Sequence, residues 1–190
     1  MKDYREKLQQ YMDLERKAYD HLSLQDINEV MNVLEEARLS GKRIFICGNG
    51  GSSATASHFV CDFDKGVSHD HGQKEKYNFI CLSDNVPTMM AIANDISYDE
   101  VFRIPLMNKM SSGDVVIGIS GSGNSENVVR ALNYANENGG ITVAITGYDG
   151  GKMKLIAKHN IHVPVNNMQI AEDLHMVLDH MMMWVLGQEE

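Results

Sequence analysis

Cysteine, proline and tryptophan are scarce in this chain, with 3 cysteines, 3 prolines and 1 tryptophan among 190 residues. The cysteines Cys47, Cys61 and Cys81 lack the paired spacing of a disulfide framework or a zinc knuckle, and each lies in an apolar or strand-like segment. They are therefore predicted to be reduced thiols in the core of a cytoplasmic protein. So few prolines, together with the absence of low-complexity segments, argue against disorder.

Positive charge and long apolar runs are also in short supply. The chain has 17 Lys and Arg against 26 Asp and Glu, which gives a formal net charge of −9. Such an acidic chain is a poor binder of nucleic acid or anionic membranes. No apolar run approaches the ~20 residues that a membrane span needs, and the charged N-terminus predicts no signal peptide. We therefore expect one globular domain that binds neither nucleic acid nor membrane.

Residues 1–40 are predicted to form an N-terminal helical extension. Apolar side chains recur at helical spacing over residues 4–22, which predicts an amphipathic helix. The segment Ser23-Leu-Gln-Asp26 is a capping box that begins a second helix, and this helix ends near Leu39 before Gly41. Two interpretations stay open for the first helix, which either contacts a partner subunit in an oligomer or packs on its own domain.

From residue 43 onward, strand-like and helical segments alternate. Short β-rich runs cover residues 43–47, 78–82, 114–119, 141–146 and 161–163, and helical stretches lie near residues 52–65, 86–110, 123–138, 151–158 and 168–186. This alternation predicts an α/β fold with a parallel sheet covered by helices on both faces. In such folds ligands bind beyond the carboxyl ends of the strands, next to helix N-termini.

Two strand-to-helix junctions share a composition rich in glycine and serine. The first is Gly48-Asn-Gly-Gly-Ser52 and the second is Ser120-Gly-Ser-Gly-Asn-Ser125. Glycines allow the backbone close to a ligand, serines supply hydroxyl donors, and a helix N-terminus attracts anions. Neither loop is a Walker A motif or a GxGxxG dinucleotide motif. The pair favours a phosphate monoester held by neutral donors over two tight turns without a ligand.

Two further clusters combine acids with histidines. His58 and Asp62 stand four residues apart on the helix that follows the first loop, where they would suit metal binding or proton transfer if they are not a surface pair. The other cluster lies on the last helix, whose apolar residues on nearly all sides predict that it is buried. Its ionisable members are Glu172, Asp173, His175, Asp179 and His180.

Spacing on the last helix does not choose a single acid. Glu172 and His180 lie about 80° apart around the helix axis, and Asp173 is better aligned with His180. His175 and Asp179 form a separate pair four residues apart. A buried acid or histidine needs a partner, so this helix contributes either to a functional site or to satisfied ion pairs within the core.

The ordered set of motifs resembles the SIS (sugar isomerase) domain family, and within it the phosphoheptose isomerases. The resemblance covers nearly the whole chain. It rests on five features in order, which are Gly48-Asn-Gly-Gly-Ser52, Asn94-Asp95, Gly118-Ile-Ser-Gly-Ser-Gly-Asn-Ser125, Thr146-Gly-Tyr-Asp-Gly-Gly-Lys152 and the acid and histidine helix at the C-terminal end. It implies a single SIS domain over residues 1–190, flavodoxin-like, with a three-layer α/β/α sandwich around a five-stranded parallel sheet.

The resemblance also implies a phosphorylated sugar as substrate and a homotetramer with sites built from more than one subunit. Its reaction would convert sedoheptulose 7-phosphate to D-glycero-D-manno-heptose 7-phosphate by enediol proton transfer, for heptose in surface glycans. Ser52, Ser120, Ser122 and Ser125 would hold the phosphate. The complete set of implied substrate-binding residues is Asn49, Gly50, Gly51, Ser52, Asn94, Asp95, Ser120, Gly121, Ser122, Ser125 and Glu172.

By the same resemblance, each subunit would bind one Zn²⁺ through His58, Asp62, Glu172 and His180. Asp62 would be the catalytic base and His180 the catalytic acid. Four positions depart from the family pattern: Asp62 replaces a glutamate, Glu172 a glutamine, Gly121 the commoner threonine, and Lys65 stands near the place of a missing arginine. Two alternatives follow, an isomerase for another phosphosugar and a noncatalytic SIS protein that binds a sugar phosphate or a partner.

Overall fold

Five parallel strands form the centre of the molecule. The computed structural model describes residues 1–71 and 73–188. The strands are β1 (Ile44–Gly48), β2 (Phe79–Cys81), β3 (Val115–Ser120), β4 (Ile141–Thr146) and β5 (His159–His162). They form one sheet in the order β2-β1-β3-β4-β5, and every neighbouring pair is parallel. The predicted α/β fold with a five-stranded parallel sheet is therefore confirmed.

Eight α-helices, a π-helix and a short 3-10 helix surround the sheet within the described residues. The α-helices are α1 (Arg5–Tyr19), α2 (Leu24–Leu39), α3 (Gly51–Val60), α4 (Val86–Asp95), α5 (Arg103–Lys109), α6 (Glu126–Glu137), α7 (Gly151–Ile156) and α8 (Met168–Leu186). The π-helix spans Cys61–Asp70 and the 3-10 helix spans Tyr98–Glu100.

The sheet is buried on both faces because its strands are apolar at successive positions. In β1, Ile44 and Ile46 belong to one core cluster, whereas Phe45 and Cys47 belong to a second. Side chains alternate across a strand, so the two clusters lie on opposite faces of the sheet. The first includes residues of α2, α3, the π-helix and α8, and the second includes residues of α4, α5, α6 and α7. This arrangement is the predicted three-layer sandwich.

The N-terminal helices begin and end close to where the sequence predicts. The Ser23 hydroxyl accepts a hydrogen bond from the Asp26 backbone N–H at 3.2 Å, which caps α2, and Gly41 follows the helix with φ of +62°. In α1 the only buried residue is Ala18, and the Tyr11 hydroxyl hydrogen-bonds Asp173 of α8. The first helix therefore packs on its own domain. Its contact with another subunit stays a prediction.

Two predicted helical stretches have a different extent in the structure. The stretch predicted over residues 86–110 is divided into α4, the 3-10 helix and α5. The division occurs because Ser97 adopts an extended backbone conformation and its side chain caps the 3-10 helix. The stretch predicted over residues 52–65 continues to Asp70, since the π-helix follows α3 directly. Within the π-helix, Gly66 leaves room for Met183 of α8.

Two predictions of burial were wrong. Cys61 is exposed at the start of the π-helix, whereas Cys47 and Cys81 are buried thiols as predicted. Helix α8 is not covered on all sides, because Trp184 is 69% exposed and Val185 is 38% exposed. Apolar residues on nearly every side of a helix therefore did not indicate complete burial in this single chain.

No helix in the described part of the chain combines the length and the apolar character that a membrane crossing requires.

The topology brings the two glycine- and serine-rich loops together. β1 and β3 are neighbours, and Gly48 at the end of β1 pairs with Ile119 near the end of β3. The chain leaves β1 toward β2 on one side and leaves β3 toward β4 on the other. A crevice opens at such a switch point, at the carboxyl ends of the strands. Both loops therefore open into the same crevice.

Candidate active site

The first loop turns from β1 into α3 by using glycines at close quarters. A Cβ atom at Gly48 would lie 2.8 Å from the backbone of Ser52, and Gly50 has φ of +54°. A side chain at Gly48 would therefore overlap the turn, and at Gly50 a residue other than glycine would be strained by the positive φ. The tight turn buries Ser52 in the first turn of α3, where free backbone N–H groups point into the crevice.

The second loop gathers three hydroxyl groups at the N-terminus of α6. The Ser120 Oγ lies 3.0 Å from the Ser125 Oγ and 3.5 Å from the Ser122 Oγ. Ser125 is the N-cap residue of α6, but its side chain makes no capping hydrogen bond. This hydroxyl therefore remains available to a ligand in the crevice.

The two loops enclose a cavity of about 100 Å³. It is lined by residues of both loops and of α8: Asn49, Ser52, Ile119, Ser120, Gly121, Ser122, Ser125, Met168 and Glu172. Within the described residues, Glu172 is the one charged side chain in this lining. Hydroxyl donors and two helix N-termini suit an oxyanion such as a phosphate monoester. The structure thus brings all four predicted phosphate-binding serines to one cavity.

Asn49 is held at the cavity by two side chains that sequence reasoning missed. The Asn49 Nδ2 donates to the Asn127 Oδ1 at 2.9 Å, and the Asn127 Nδ2 donates back to the Asn49 Oδ1 at 2.9 Å. The Tyr98 hydroxyl also donates to the Asn49 Oδ1 at 2.8 Å. Asn127 is only 1% exposed, so it orients Asn49 without facing solvent. The sequence offered one signal for Asn127, which is its place in the first turn of α6 beside the second loop (residues 120–125, the serine loop).

A third loop, residues 146–152, supports the backbone of the serine loop. The Gly147 N–H donates to the Gly121 carbonyl at 2.9 Å, and the Met153 N–H donates to the Gly123 carbonyl at 2.9 Å. The Lys152 N–H donates to the Asn124 Oδ1 at 3.1 Å. Residues 146–152, together with Met153, therefore fix the backbone of the serine loop.

Four ionisable side chains meet where the end of α3 and the start of the π-helix pack against the second half of α8. His58, Asp62, Asp179 and His180 each offer a ligand atom, and these four atoms all lie within 4.8 Å of one another. The two Nε2 atoms of His58 and His180 are 3.1 Å apart. The Asp62 Oδ2 lies 3.5 Å from the His58 Nε2 and 3.8 Å from the His180 Nε2.

These separations suit a metal ion. Atoms bound to one tetrahedral zinc at 2.0–2.1 Å lie about 3.3 Å from each other, close to the three distances found here. Both carboxylate oxygens of Asp179 are buried without a hydrogen-bond partner, which is costly for a polar group. Burial, helped by the charge of Asp62, raises the pKa of Asp179 to about 8. A bound cation would satisfy these oxygens and restore the charged form.

Comparison with known proteins shows the family of the chain. The SIS domain family profile matches residues 4–147. A probable phosphoheptose isomerase from Thermoplasma acidophilum is 33% identical over 179 residues, covering 94% of this chain and 97% of the relative. The chain belongs to the SIS domain family. A phosphoheptose isomerase from Aliarcobacter butzleri is 34% identical over 163 residues, covering 86% of this chain and 85% of the relative.

A solved structure extends the similarity to the whole fold of this SIS domain. The phosphoheptose isomerase of Neisseria gonorrhoeae has a TM-score of 0.86 with this chain and 26% sequence identity. The superposition covers 97% of this chain and 98% of that one. The similarity therefore includes the N-terminal helices and α8 as well as the sheet.

The structure does not bring every predicted site residue of the SIS domain together. Asn94 and Asp95 lie exposed at the end of α4, where the Asn94 Nδ2 donates to the Asp95 Oδ1 at 2.8 Å. Asp173 hydrogen-bonds Tyr11 instead of approaching His180. Lys65 forms an ion pair with Asp70 at 2.5 Å on the exposed side of the π-helix. The sugar-binding roles of Asn94 and Asp95 stay predictions.

Glu172 also lies apart from the three residues with which it was predicted to bind a metal. Its carboxylate lies against the first loop, so that a Cβ atom at Gly51 would come within 2.5 Å of the Glu172 Oε2. It lines the phosphate-type cavity, and Asp179 occupies the fourth position of the His58 cluster. Glu172 therefore lies beside the serines in this structure, and its predicted roles in substrate binding and in metal binding both stay predictions.

Replacement of Asn127 by alanine is expected to raise KM for the sugar phosphate by about thirtyfold, since Asn49 would lose two hydrogen bonds of ~1 kcal/mol each. Tyr98→Phe removes one of the three bonds on Asn49 and should raise KM by less. Steady-state kinetics on both variants, with far-UV circular dichroism to check folding, provides the measurement. Equal KM values in Asn127→Ala and the parent protein would show that Asn49 does not need this support.

The buried imidazole of His175 makes stability depend on pH. Burial lowers the pKa of His175 from 6.5 to about 4 and outweighs a backbone hydrogen bond at Thr146, which acts in the opposite direction. The unfolded chain takes up a proton near pH 6.5 that the folded chain takes up only near pH 4. The contribution of His175 to the free energy of unfolding therefore falls as pH drops through this range.

We expect a His175→Leu variant to gain about 3 kcal/mol relative to the parent protein between pH 6.5 and pH 4. Asp179 titrates in both proteins, so its opposite contribution cancels in the difference. Urea unfolding at half-unit pH steps measures the effect. Parallel pH profiles for the two proteins would contradict the lowered pKa.

Proposed function

We propose that this chain is a phosphosugar ketose–aldose isomerase that converts sedoheptulose 7-phosphate to D-glycero-D-manno-heptose 7-phosphate. The reaction belongs to heptose synthesis for surface glycans in the cytoplasm. One observation carries the proposal: a cavity built for a phosphate and a cluster of acids and histidines lie along the same two segments of the fold. Both segments start at the phosphate cavity, with Ser52 at the beginning of α3 and Glu172 near the beginning of α8.

The distance between the two halves fits an extended sugar phosphate. Glu172 and His180 are eight residues apart on α8, which corresponds to about 12 Å along the helix axis. A substrate anchored by its phosphate in the serine cavity therefore extends its other end toward His58, Asp62 and His180. In a 7-phosphate, that far end carries C1 and C2. Binding energy from the phosphate then positions the reacting carbons.

Proton transfer is assigned to Asp62 and His180. A carboxylate oxygen of Asp62 removes a proton from C1 of the ketose, which produces the enediol, and returns a proton to C2. His180 donates a proton to the oxygen at C2 as negative charge develops there and accepts the proton of the C1 hydroxyl. The side chain of Asp62 is only 13% exposed whereas that of His180 is 56% exposed, so the proposed base is the more sheltered of the two groups.

Zinc is the metal we propose for the cluster. His58, Asp62 and His180 would supply two imidazole nitrogens and a carboxylate oxygen, which is a ligand set that zinc accepts. When bound, the ion supplies Lewis-acid polarisation of the substrate oxygens. The second carboxylate oxygen of Asp62 remains free to take the carbon-bound proton.

A tetrameric assembly is part of the same proposal. Helix α1 leaves Tyr4, Leu8 and Met12 exposed at 56%, 62% and 47%. Exposed apolar residues also lie on α8, among them Trp184 and Val185, and exposed apolar surface commonly marks a protein interface. Mass determination by light scattering should give four times the chain mass of 21.2 kDa. A monomer at micromolar concentration would contradict the assembly.

Proton NMR in D₂O of the zinc-supplemented protein with sedoheptulose 7-phosphate tests the reaction. We expect new heptose anomeric signals and deuterium at C1 or C2, because the base exchanges its proton with solvent. A ketose spectrum that stays unchanged would contradict the proposed substrate.

The same NMR experiment distinguishes two alternatives, an isomerase for another phosphosugar and a noncatalytic binding protein. Asp62 and Glu172 depart from the family pattern, which favours trials of other phosphosugars as the first alternative. Turnover of another ketose phosphate would identify a different isomerase. Line broadening of the sugar phosphate without turnover of any of them would identify a noncatalytic binding protein.

A further inference from the structure

Asp179 is buried beside the histidine cluster, and no group in the described part of the chain satisfies its carboxylate. The residue is 0% exposed, and neither oxygen has a hydrogen-bond partner. One of its oxygens lies within 4.8 Å of ligand atoms from His58, Asp62 and His180. A carboxylate buried without a partner costs free energy of folding, and a bound cation would offset that cost. Such a carboxylate is therefore a good candidate for a metal ligand.

Glu172, by contrast, lies in the serine cavity and not in the histidine cluster. It starts about 12 Å from His180 along the axis of α8, and its carboxylate rests on Gly51 of the first loop. That position lines the serine cavity, where a carboxylate accepts hydrogen bonds from sugar hydroxyls. Asp179 is the residue next to His180 and reaches the cluster from the same turn of α8.

We propose that Asp179 is the fourth protein ligand of the metal site, and that Glu172 binds the sugar instead of the metal. The inference rests on the proposed function for the presence of a metal in this cluster and of a sugar phosphate in the serine cavity. The site is then composed of two imidazoles and two carboxylates, all from one chain. Its two aspartates neutralise a divalent cation, whereas a site with one carboxylate would leave a net positive charge.

The test measures zinc binding directly, by calorimetric titration of metal-free protein in the presence of a competing chelator. Asp179→Asn keeps the size of the side chain and removes its charge, and Glu172→Gln is the matched change at the other acid. We expect Asp179→Asn to weaken zinc binding at least about tenfold and Glu172→Gln to leave it within about twofold. The KM for the sugar phosphate should rise in Glu172→Gln.

A spectroscopic measurement keeps the test independent of catalysis. Cobalt(II) added to metal-free parent protein should give the visible absorption of a tetrahedral site, which Asp179→Asn should shift or weaken. In the metal-free proteins Asp179→Asn exchanges one buried, unpaired polar group for another of nearly the same size, so the variant and the parent should melt at similar temperatures, which excludes misfolding as the cause of weak binding.

The opposite pattern would overturn the inference: zinc affinity lost in Glu172→Gln and kept in Asp179→Asn. Equal affinity in the parent protein and both variants would also overturn it. The zinc titrations and the cobalt spectra do not use the isomerase assay, so failure of the metal assignment is separate from failure of the proposed reaction. A protein that binds zinc through Asp179 but does not turn over sedoheptulose 7-phosphate would refute only the latter.

Discussion

Replacement of Asp62 by asparagine is expected to reduce kcat for the isomerisation by at least about a hundredfold, which is the lower end of what a positioned general base contributes. The amide has almost the shape of the carboxylate but accepts no proton at neutral pH. Exchange of solvent deuterium into C1 and C2 should fall in parallel with turnover, since both need the same proton transfer. NMR in D₂O reports the two rates in one experiment.

Two further variants separate the base from the rest of the site. Asp70→Asn changes an exposed aspartate on the same π-helix, whose partners are Lys65 and His69, and should leave kcat within about twofold. Asp62→Glu introduces the glutamate that the family pattern has, and should keep more activity than the asparagine variant. Zinc content is measured for each variant, because Asp62 also faces the metal cluster. Full turnover by Asp62→Asn at normal zinc content would remove Asp62 as the base.

The sheet and the serine cavity were predictable because short-range patterns determine them. Apolar runs such as those of β1 and β3 indicate buried parallel strands, and a glycine- and serine-rich junction after such a strand indicates an anion site. The order of the strands then places both loops in one crevice. The four serines could therefore be placed in a single cavity without any knowledge of side-chain contacts.

Other parts of the site depend on packing that the sequence does not display. The Asp179 side chain reaches His58 only because α3, the π-helix and α8 cross at this point. From spacing alone, Asp179 formed a pair with His175. Likewise, the contact between Tyr98 and Asn49 joins residues 49 positions apart. Helical periodicity also failed at the π-helix, since i, i+4 spacing does not reveal where a helix widens.

The glycines of residues 146–152 show how the cavity is maintained. The matching motif in the sequence carried no chemistry of its own, because its residues donate and accept through the backbone. Gly147 and Gly150 stand where the backbone of the serine loop approaches most closely, with a Cβ at Gly147 only 2.8 Å from the Gly121 carbonyl. The phosphate site therefore depends on contact between two loops as much as on its hydroxyl groups.

Replacement of Gly123 by alanine should therefore damage both stability and phosphate binding. The residue has φ of +65°, and a Cβ atom there would lie 2.0 Å from the Gly150 carbonyl oxygen. We expect a loss of about 3 kcal/mol in the free energy of unfolding, from backbone strain and from overlap together. A shift of the loop by about 1 Å should also lower kcat/KM on the order of a hundredfold.

Gly41→Ala provides the matched control for this prediction. Gly41 has nearly the same φ, +62°, but a Cβ atom there meets nothing within 4 Å. It should therefore show only the backbone penalty of about 1–2 kcal/mol and leave kcat/KM unchanged. Urea unfolding and steady-state kinetics on the two variants separate strain from overlap. Equal losses of stability, or a normal KM in Gly123→Ala, would mean that the serine loop holds its shape without the contact from Gly150.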